Sequence, residues 1–200
     1  MKKYFILVFA ALMFIMCSHK GRLYLVEQKQ AQEIKTGVRN DTVFQDIAFG
    51  MSQHRIFQRF RELVYLEKLN LTKNGTFEST ARLDTMKLSV GFNSRYFHDS
   101  LYSFSFIYKG KNQAQAERIR QILADSLNKK FGNPILIPTE EDTTRRDFYY
   151  VRGNQKIELK YPYKSRRAIM TLTDYTLENH MIREGMQEAK AKTDQAQDKE

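Results

Sequence analysis

Residues 101–108 are LYSFSFIY, a stretch in which aromatic and small polar side chains alternate. Successive side chains of a strand point to opposite faces, so this pattern predicts a strand with one aromatic face turned toward the core. Residues 86–92 (MKLSVGF) alternate in the same way. The two stretches predict neighbouring strands of an antiparallel sheet. The aromatic face consists of Tyr102, Phe104, Phe106 and Tyr108.

Two helices are predicted on either side of these strands. Ser52 is a suitable N-cap for the first, and Asn112 for the second, with Gln115 three residues later as in a capping box. Gly132 is placed to end the second helix. The apolar residues of the first helix recur at helical spacing: Ile56, Phe57, Phe60, Leu63 and Val64. Those of the second are Ile119, Ile122, Leu123, Leu127 and Phe131.

Further strands are predicted over residues 77–83, on both sides of the turn signal Gly153-Asn154, and over residues 168–175. The predicted fold class is therefore α+β, with a mainly antiparallel sheet and two helices packed on one face. The helix starts at Ser52 and Asn112 stand 60 residues apart. This spacing suggests a duplicated unit, each consisting of a helix and a strand meander.

The first seventeen residues have the layout of an export signal. Two lysines are followed by the apolar residues 4–16 and then by Cys17, the only cysteine in the chain. At about 1.5 Å per residue, this apolar stretch spans roughly 20 Å, less than the ~30 Å hydrocarbon core of a bilayer. The segment resembles a bacterial lipoprotein signal, which implies that Cys17 is acylated. The alternative is an uncleaved membrane anchor that happens to end on a cysteine.

Four segments are predicted along the chain. Residues 1–16 are the signal, residues 17–40 a polar, lipid-anchored tether, residues 41–178 a single α+β domain, and residues 179–200 a polar tail, helical or disordered. We expect the protein to be exported and lipid-anchored in the bacterial cell envelope, facing the periplasm or the cell surface.

A second resemblance covers two short motifs. Gly50-Met51-Ser52 opens the first predicted helix, and residues 131–134 (FGNP) close the second. These motifs are similar to those of small envelope lipoproteins with a beta-lactamase-inhibitor-protein-like fold. The resemblance implies a non-enzymatic interaction module, and it assigns no binding residue in this sequence.

Composition and motifs argue against an enzyme. One cysteine and four scattered histidines do not favour a metal site, and we predict no metal or other cofactor. His54 is predicted to lie on the surface of the first helix, and His98-Asp99 to form a turn. Three consecutive acidic residues, 140–142, lack the alternating spacing of a calcium loop. No catalytic residue is predicted.

The chain is basic, with a formal net charge of +10. Residues 145–167 hold eight basic and two acidic side chains, interleaved with aromatic ones. Such a surface attracts anionic lipid or polymer, or an acidic partner protein. The alternative is a solvated sheet edge protected by charge. The candidate surface consists of Arg152, Lys156, Lys160, Lys164, Arg166 and Arg167.

If this candidate surface binds a ligand, its strand residues are expected to project to one side. Reversing the charges of Lys156 and Lys160 is then expected to leave the melting temperature nearly unchanged. The sequence predicts a membrane-anchored binding or structural module, with the membrane as one partner and an envelope protein or anionic envelope component as another. The alternative function is a nucleic-acid- or anionic-polymer-binding protein with an N-terminal membrane anchor. We do not expect nucleic acid to be the partner of an exported domain.

Overall fold

A computed structural model of the chain describes residues 19–197, so the signal segment and Cys17 lie outside the described residues. Two short strands, β1 (Thr42–Phe44) and β2 (Ile47–Ala48), pair with each other. Eight more strands form a single sheet in which every pairing is antiparallel. They are β3 (Asn70–Leu71), β4 (Phe77–Leu83), β5 (Met86–Phe97), β6 (Ser100–Lys109), β7 (Ile135–Pro138), β8 (Arg146–Arg152), β9 (Gln155–Lys160) and β10 (Arg167–Asp174).

Four helices accompany the strands within residues 19–197. They are α1 (His19–Ile34), α2 (Gln53–Tyr65), α3 (Gln113–Phe131) and α4 (Tyr175–Gln197). The α+β class predicted from the sequence is confirmed. Each of α2 and α3 is followed in the chain by four strands, and the sheet order is β3-β4-β5-β6-β10-β9-β8-β7. The two meanders therefore meet at their last strands, β6 and β10, as expected for a repeated helix-and-meander unit.

Helices α2 and α3 pack on the same face of the sheet, as predicted. Phe104 and Phe106 on β6 and Ile157 and Leu159 on β9 belong to one core cluster with residues of both helices. The predicted caps are present, since Ser52 Oγ accepts a hydrogen bond from Arg55 N at 3.3 Å and Asn112 Oδ1 accepts one from Gln115 N at 2.9 Å. The helix residues buried in this core are Ile56, Phe60, Leu63, Ala116, Ile119, Leu123 and Ala124.

Helix α1 differs from the predicted tether. Residues 19–34 are helical and pack on the opposite face of the sheet, over β7 and β8. Val26 is buried there with Ile137, Tyr149 and Val151 in a second apolar cluster. The sequence prediction missed this helix because α1 contributes only a narrow apolar contact, and most of its side chains are polar and exposed.

Three further features differ in detail from the sequence expectations. The short strand β7 forms one edge of the sheet, so β9 lies between β8 and β10 rather than at an edge. The interpretation of the basic stretch as a protected sheet edge is therefore wrong for β9 and β10. Strand β9 ends at Lys160, before the turn that contains Pro162. Helix α4 begins at Tyr175, and Asp174 Oδ1 accepts hydrogen bonds from the N–H groups of Thr176 and Leu177 at its start.

Candidate functional site

The basic candidates on β9 alternate with core residues. Ile157 and Leu159 are buried in the core, and Lys156 and Lys160 point to the other face. The Lys156 ammonium lies 2.7 Å from a Glu178 carboxylate oxygen of α4, and its side chain is only 17% exposed. The premise that Lys156 is an exposed residue is therefore wrong, and we now expect reversal of its charge to lower stability, because a Glu at position 156 would face Glu178.

Arg152 does not belong to the same surface as Lys156. It lies opposite Gln155, on the strand face that also carries Tyr150, and its guanidinium approaches the Lys130 carbonyl of α3 at 3.5 Å. Strand side chains two residues apart share a face, so Arg152 points toward α3 while Lys156 points away from it. The six candidates therefore do not form one continuous surface.

The other four candidates gather where β9 ends and β10 begins. Arg167 pairs across the sheet with Lys109, the last residue of β6, and the Arg166 carbonyl accepts a hydrogen bond from Gly110 N at 2.8 Å. A Cβ on Gly110 would lie 3.0 Å from Ala116 N of α3 and 3.2 Å from Arg166 O, so the close approach of these backbones favours glycine. We call the resulting cluster the basic end of the sheet: Lys109, Lys111, Lys160, Lys164, Arg166 and Arg167.

Only two side chains of the basic end form ion pairs within the described residues. The Lys109 ammonium contacts Glu78, and the Lys160 ammonium lies 3.6 Å from Glu158. The remaining four cations are exposed. The basic end therefore carries a clear excess of positive charge.

The aromatic residues of the basic stretch are mostly engaged in the fold. Tyr149 and Tyr150 are buried, and Tyr161 lies beneath two guanidinium groups, those of Arg120 at 5.5 Å and Arg145 at 5.2 Å from the ring centre. Arg120 is only 4% exposed and forms two hydrogen bonds to Glu117. Of this set, Tyr163 alone is exposed, at 38%.

A small acidic pocket lies beside the basic end. It has a volume of about 140 Å³ and includes Asp147 and Tyr149. Burial raises the pKa of Asp147, whose carboxylate accepts a hydrogen bond from Tyr161 N at 2.7 Å. Burial and the neighbouring Glu158 carboxylate raise the pKa of Tyr149, and its hydroxyl donates to Glu158 at 2.6 Å. Among residues 19–197, no three His, Cys, Asp or Glu side chains are arranged to hold a metal ion.

An aromatic groove separates α2 from β4 and β5. Its cavity has a volume of about 600 Å³, and the walls include Phe57, Phe60, Phe77 and Phe92, with His54 also among the lining residues. The ring centres of Phe60 and Phe77 lie 4.9 Å apart, and those of Phe57 and Phe77 lie 5.7 Å apart. These contacts form an apolar floor that is open to solvent on one side.

The aromatic groove continues toward the edge of the sheet. A second cavity of about 340 Å³ shares Phe57 and Phe77 with the first and extends to Leu71 on β3. Phe57 is 51% exposed and Leu71 57% exposed. Helical spacing placed Phe57 in the core, and the structure corrects this, because Phe57 lies at the groove mouth. The sequence signal for this groove is a large apolar side chain, Phe57, at the border of the apolar face of α2. A short edge strand, β3, follows this helix in the chain.

The histidine and acidic candidates have local structural contacts. His98 and Asp99 both have positive φ and form the predicted turn between β5 and β6. His98 Nε2 lies 2.8 Å from Glu184 Oε2, and Asp99 accepts a hydrogen bond from Gln53 N at 2.9 Å, at the start of α2. These contacts connect the turn to α4 and α2.

Comparisons with known proteins add no assignment. No family model matches the chain, and no match is found among curated proteins or solved structures. Within residues 19–197, none of the helices has both the length and the apolar character needed to cross a bilayer.

Proposed function

We propose that this protein is an exported envelope lipoprotein, acylated at Cys17, whose domain acts as a binding module. The observation that supports the anchor most directly is the order of segments: lysines, thirteen apolar residues, the only cysteine, and then α1 from His19. In this account the lipid attaches almost directly to the folded domain through α1.

A non-catalytic role is favoured by the contacts of the polar candidates. Asp99 caps α2 and His98 contacts Glu184, so the two residues stabilise a turn. Asp174 is buried and caps α4, and its second carboxylate oxygen accepts a hydrogen bond from Asn154 at 2.8 Å. The hydrogen bonds of these groups stabilise a turn and the starts of two helices.

We place the binding surface at the aromatic groove. Beyond Glu78 the outer side of β4 has no partner strand among the described residues, because β3 pairs only with Phe77 and Glu78. An extended segment of an envelope protein could add to this free strand edge and place apolar side chains against Phe57 and Phe77. Exposed aromatic surface next to unpaired backbone favours a protein segment as the occupant.

The anchor is tested by metabolic labelling with a fatty-acid analogue. Wild-type protein is expected to incorporate the label and to fractionate with membranes, and Cys17→Ala is expected to do neither. A matched control is Ser18→Ala, which keeps the cysteine. Equal labelling and equal fractionation of wild type and Cys17→Ala would show that the lipoprotein assignment is wrong.

A second function is favoured by the basic end. The protein would then bind nucleic acid or another anionic polymer in the cytoplasm, with residues 1–16 as an uncleaved anchor. A reporter fused after Glu200 discriminates between the two accounts. Reporter activity confined to the cytoplasm supports the second function, and activity confined to the exported side supports the first.

A further inference from the structure

We infer that the basic end of the sheet lies against an anionic lipid surface and that α1 holds it there. This inference rests on the proposed acylation of Cys17. It adds the orientation of the domain on the membrane and the chemistry of the surface that the domain touches.

The direction of α1 follows from contacts near its two ends. The Glu33 carboxylate accepts a hydrogen bond from Gly153 N at 3.0 Å, and the Arg22 guanidinium donates to the Leu136 carbonyl at 3.1 Å. Leu136 pairs with Phe148 on β8. From Phe148 to Gly153 the chain advances about 17 Å at ~3.3 Å per residue. From Arg22 to Glu33 the helix rises about 16 Å at 1.5 Å per residue.

These two lengths agree, so α1 runs nearly along β8 and in the same direction. Its N-terminus therefore points toward the end of the sheet at which β8 begins with Arg146. Strand β9 ends at this same end with Lys160, and β10 begins there with Arg167. The start of α1 and the basic end lie at the same end of the sheet.

The proposed lipid attachment point is close to this end. Cys17 precedes His19 by two residues, and two peptide units span at most about 8 Å. Neighbouring strands are about 4.8 Å apart, so β9 and β10 lie roughly 5–10 Å from β8 across the sheet. An acyl chain on Cys17 would bring the headgroup layer within reach of the basic end, because the helical residues 19–34 leave no long tether.

The exposed side chains at this end fit a bilayer surface. Lys111, Lys164 and Arg166 form no ion pair with any of the described residues, and each basic side chain near an anionic membrane strengthens binding about fivefold. Tyr24 and Leu25, in the first half of α1, are exposed apolar residues. Tyrosine is typical of the interface between lipid and water.

Nucleic acid fits the basic end less well. Non-specific binding of single strands relies on accessible aromatic rings on which bases stack. Here Tyr149 and Tyr150 are buried, and Tyr161 already contacts two arginines. Without a row of open rings, the basic end offers charge alone, which suits lipid headgroups.

The test uses full-length, processed protein reconstituted into vesicles. Because Cys17 would be acylated, one added cysteine gives a single reactive thiol for a polarity-sensitive fluorophore. The labelled variants are Arg166→Cys at the basic end and Asn74→Cys, an exposed position in the turn between β3 and β4, three strands away from β10 across the sheet. The vesicles contain phosphatidylcholine with or without phosphatidylglycerol, together with a headgroup-located quencher.

The inference predicts at least threefold stronger quenching at position 166 than at position 74 in phosphatidylglycerol vesicles. A label at Leu25→Cys reports the same contact from α1, and adding Arg166→Glu and Arg167→Glu to that variant should reduce its quenching. High salt should reduce the quenching at position 166 while the protein still floats with the vesicles.

Three outcomes would overturn the inference. Flotation with equal quenching at positions 74 and 166 rejects the orientation and leaves the anchor intact. A protein that does not float with vesicles rejects the anchor, and the orientation is rejected with it. Equal quenching, combined with oligonucleotide binding that is lost on reversing Arg166 and Arg167, assigns the basic end to nucleic acid.

Discussion

The hydroxyl of Tyr175 lies 2.8 Å from the Gln30 carbonyl, across 145 residues of sequence, and it also contacts the Gly153 carbonyl, so the two oxygens share one donor. Tyr175 is fully buried at the junction of β10 and α4, and it packs in the same apolar cluster as Val26 of α1. This contact makes α1 an integral part of the fold. The proposed lipid attachment at Cys17 therefore lies next to the folded domain and close to its basic end.

Tyr175→Phe is expected to loosen α1. It keeps the buried ring and removes the hydroxyl, which leaves the Gln30 carbonyl without this donor. We expect the free energy of unfolding to fall by about 1–2 kcal/mol. Urea unfolding followed by circular dichroism measures this free energy. The control is Tyr163→Phe, at a more exposed ring, and its free energy of unfolding is expected to lie within ~0.5 kcal/mol of the wild-type value. Equal stabilities of the two variants would contradict the role of this hydrogen bond.

Glu33 makes the docking of α1 sensitive to acid. The hydrogen bond from Gly153 N, together with nearby Lys29, lowers the pKa of the Glu33 carboxyl below its ordinary value of 4.5. A lowered pKa adds stability above about pH 4.5, and this stability is lost as the pH falls through the folded-state pKa.

The variant Glu33→Gln cannot titrate at this position. It should be less stable than wild type at pH 6 and should lose less stability between pH 6 and pH 3. Melting temperatures at the two pH values test this, with Glu27→Gln on an exposed position of α1 as the control. An unchanged pH dependence in Glu33→Gln would be inconsistent with the prediction.

The ion pair between Lys156 and Glu178 connects β9 to α4. Lys156→Glu places two carboxylates together at a partly buried site, and we expect a loss of about 1–3 kcal/mol. The exchange Lys156→Glu/Glu178→Lys restores opposite charges and should recover most of that loss. Thermal unfolding of the two variants measures this. A double variant no more stable than Lys156→Glu would argue against a specific pair.

Phe57 and Phe60 give a matched test of the aromatic groove. Phe60 is only 7% exposed, and Phe60→Ala should cost about 3–5 kcal/mol through the cavity it leaves. Phe57 is half exposed, so Phe57→Ala should cost much less, about 1 kcal/mol or below. Equal losses in urea unfolding would mean that Phe57 belongs to the core, as helical spacing alone indicates.

The elements with strong periodicity could be predicted from the sequence. Strand β6 and helices α2 and α3 bury enough apolar surface for their patterns to be visible, and Ser52 and Asn112 are caps whose local chemistry needs no tertiary context. The hairpin at Gly153 follows from its two-residue turn for the same reason.

The elements stabilised by distant contacts could not be predicted. Helix α1 depends on Tyr175 and on β7 and β8, which lie more than a hundred residues away in the chain. The separation of Arg152 from Lys156 depends on the register across a turn, and the grouping of Lys109 with Arg167 depends on the pairing of β6 with β10. Such relationships arise from the sheet topology and have no local sequence signal.

The central claim is most directly tested by mass spectrometry of the N-terminus of the protein purified from membranes. The account predicts a chain that begins at Cys17 and carries acyl groups on that residue. An intact N-terminus that retains residues 1–16, with an unmodified Cys17, would contradict it.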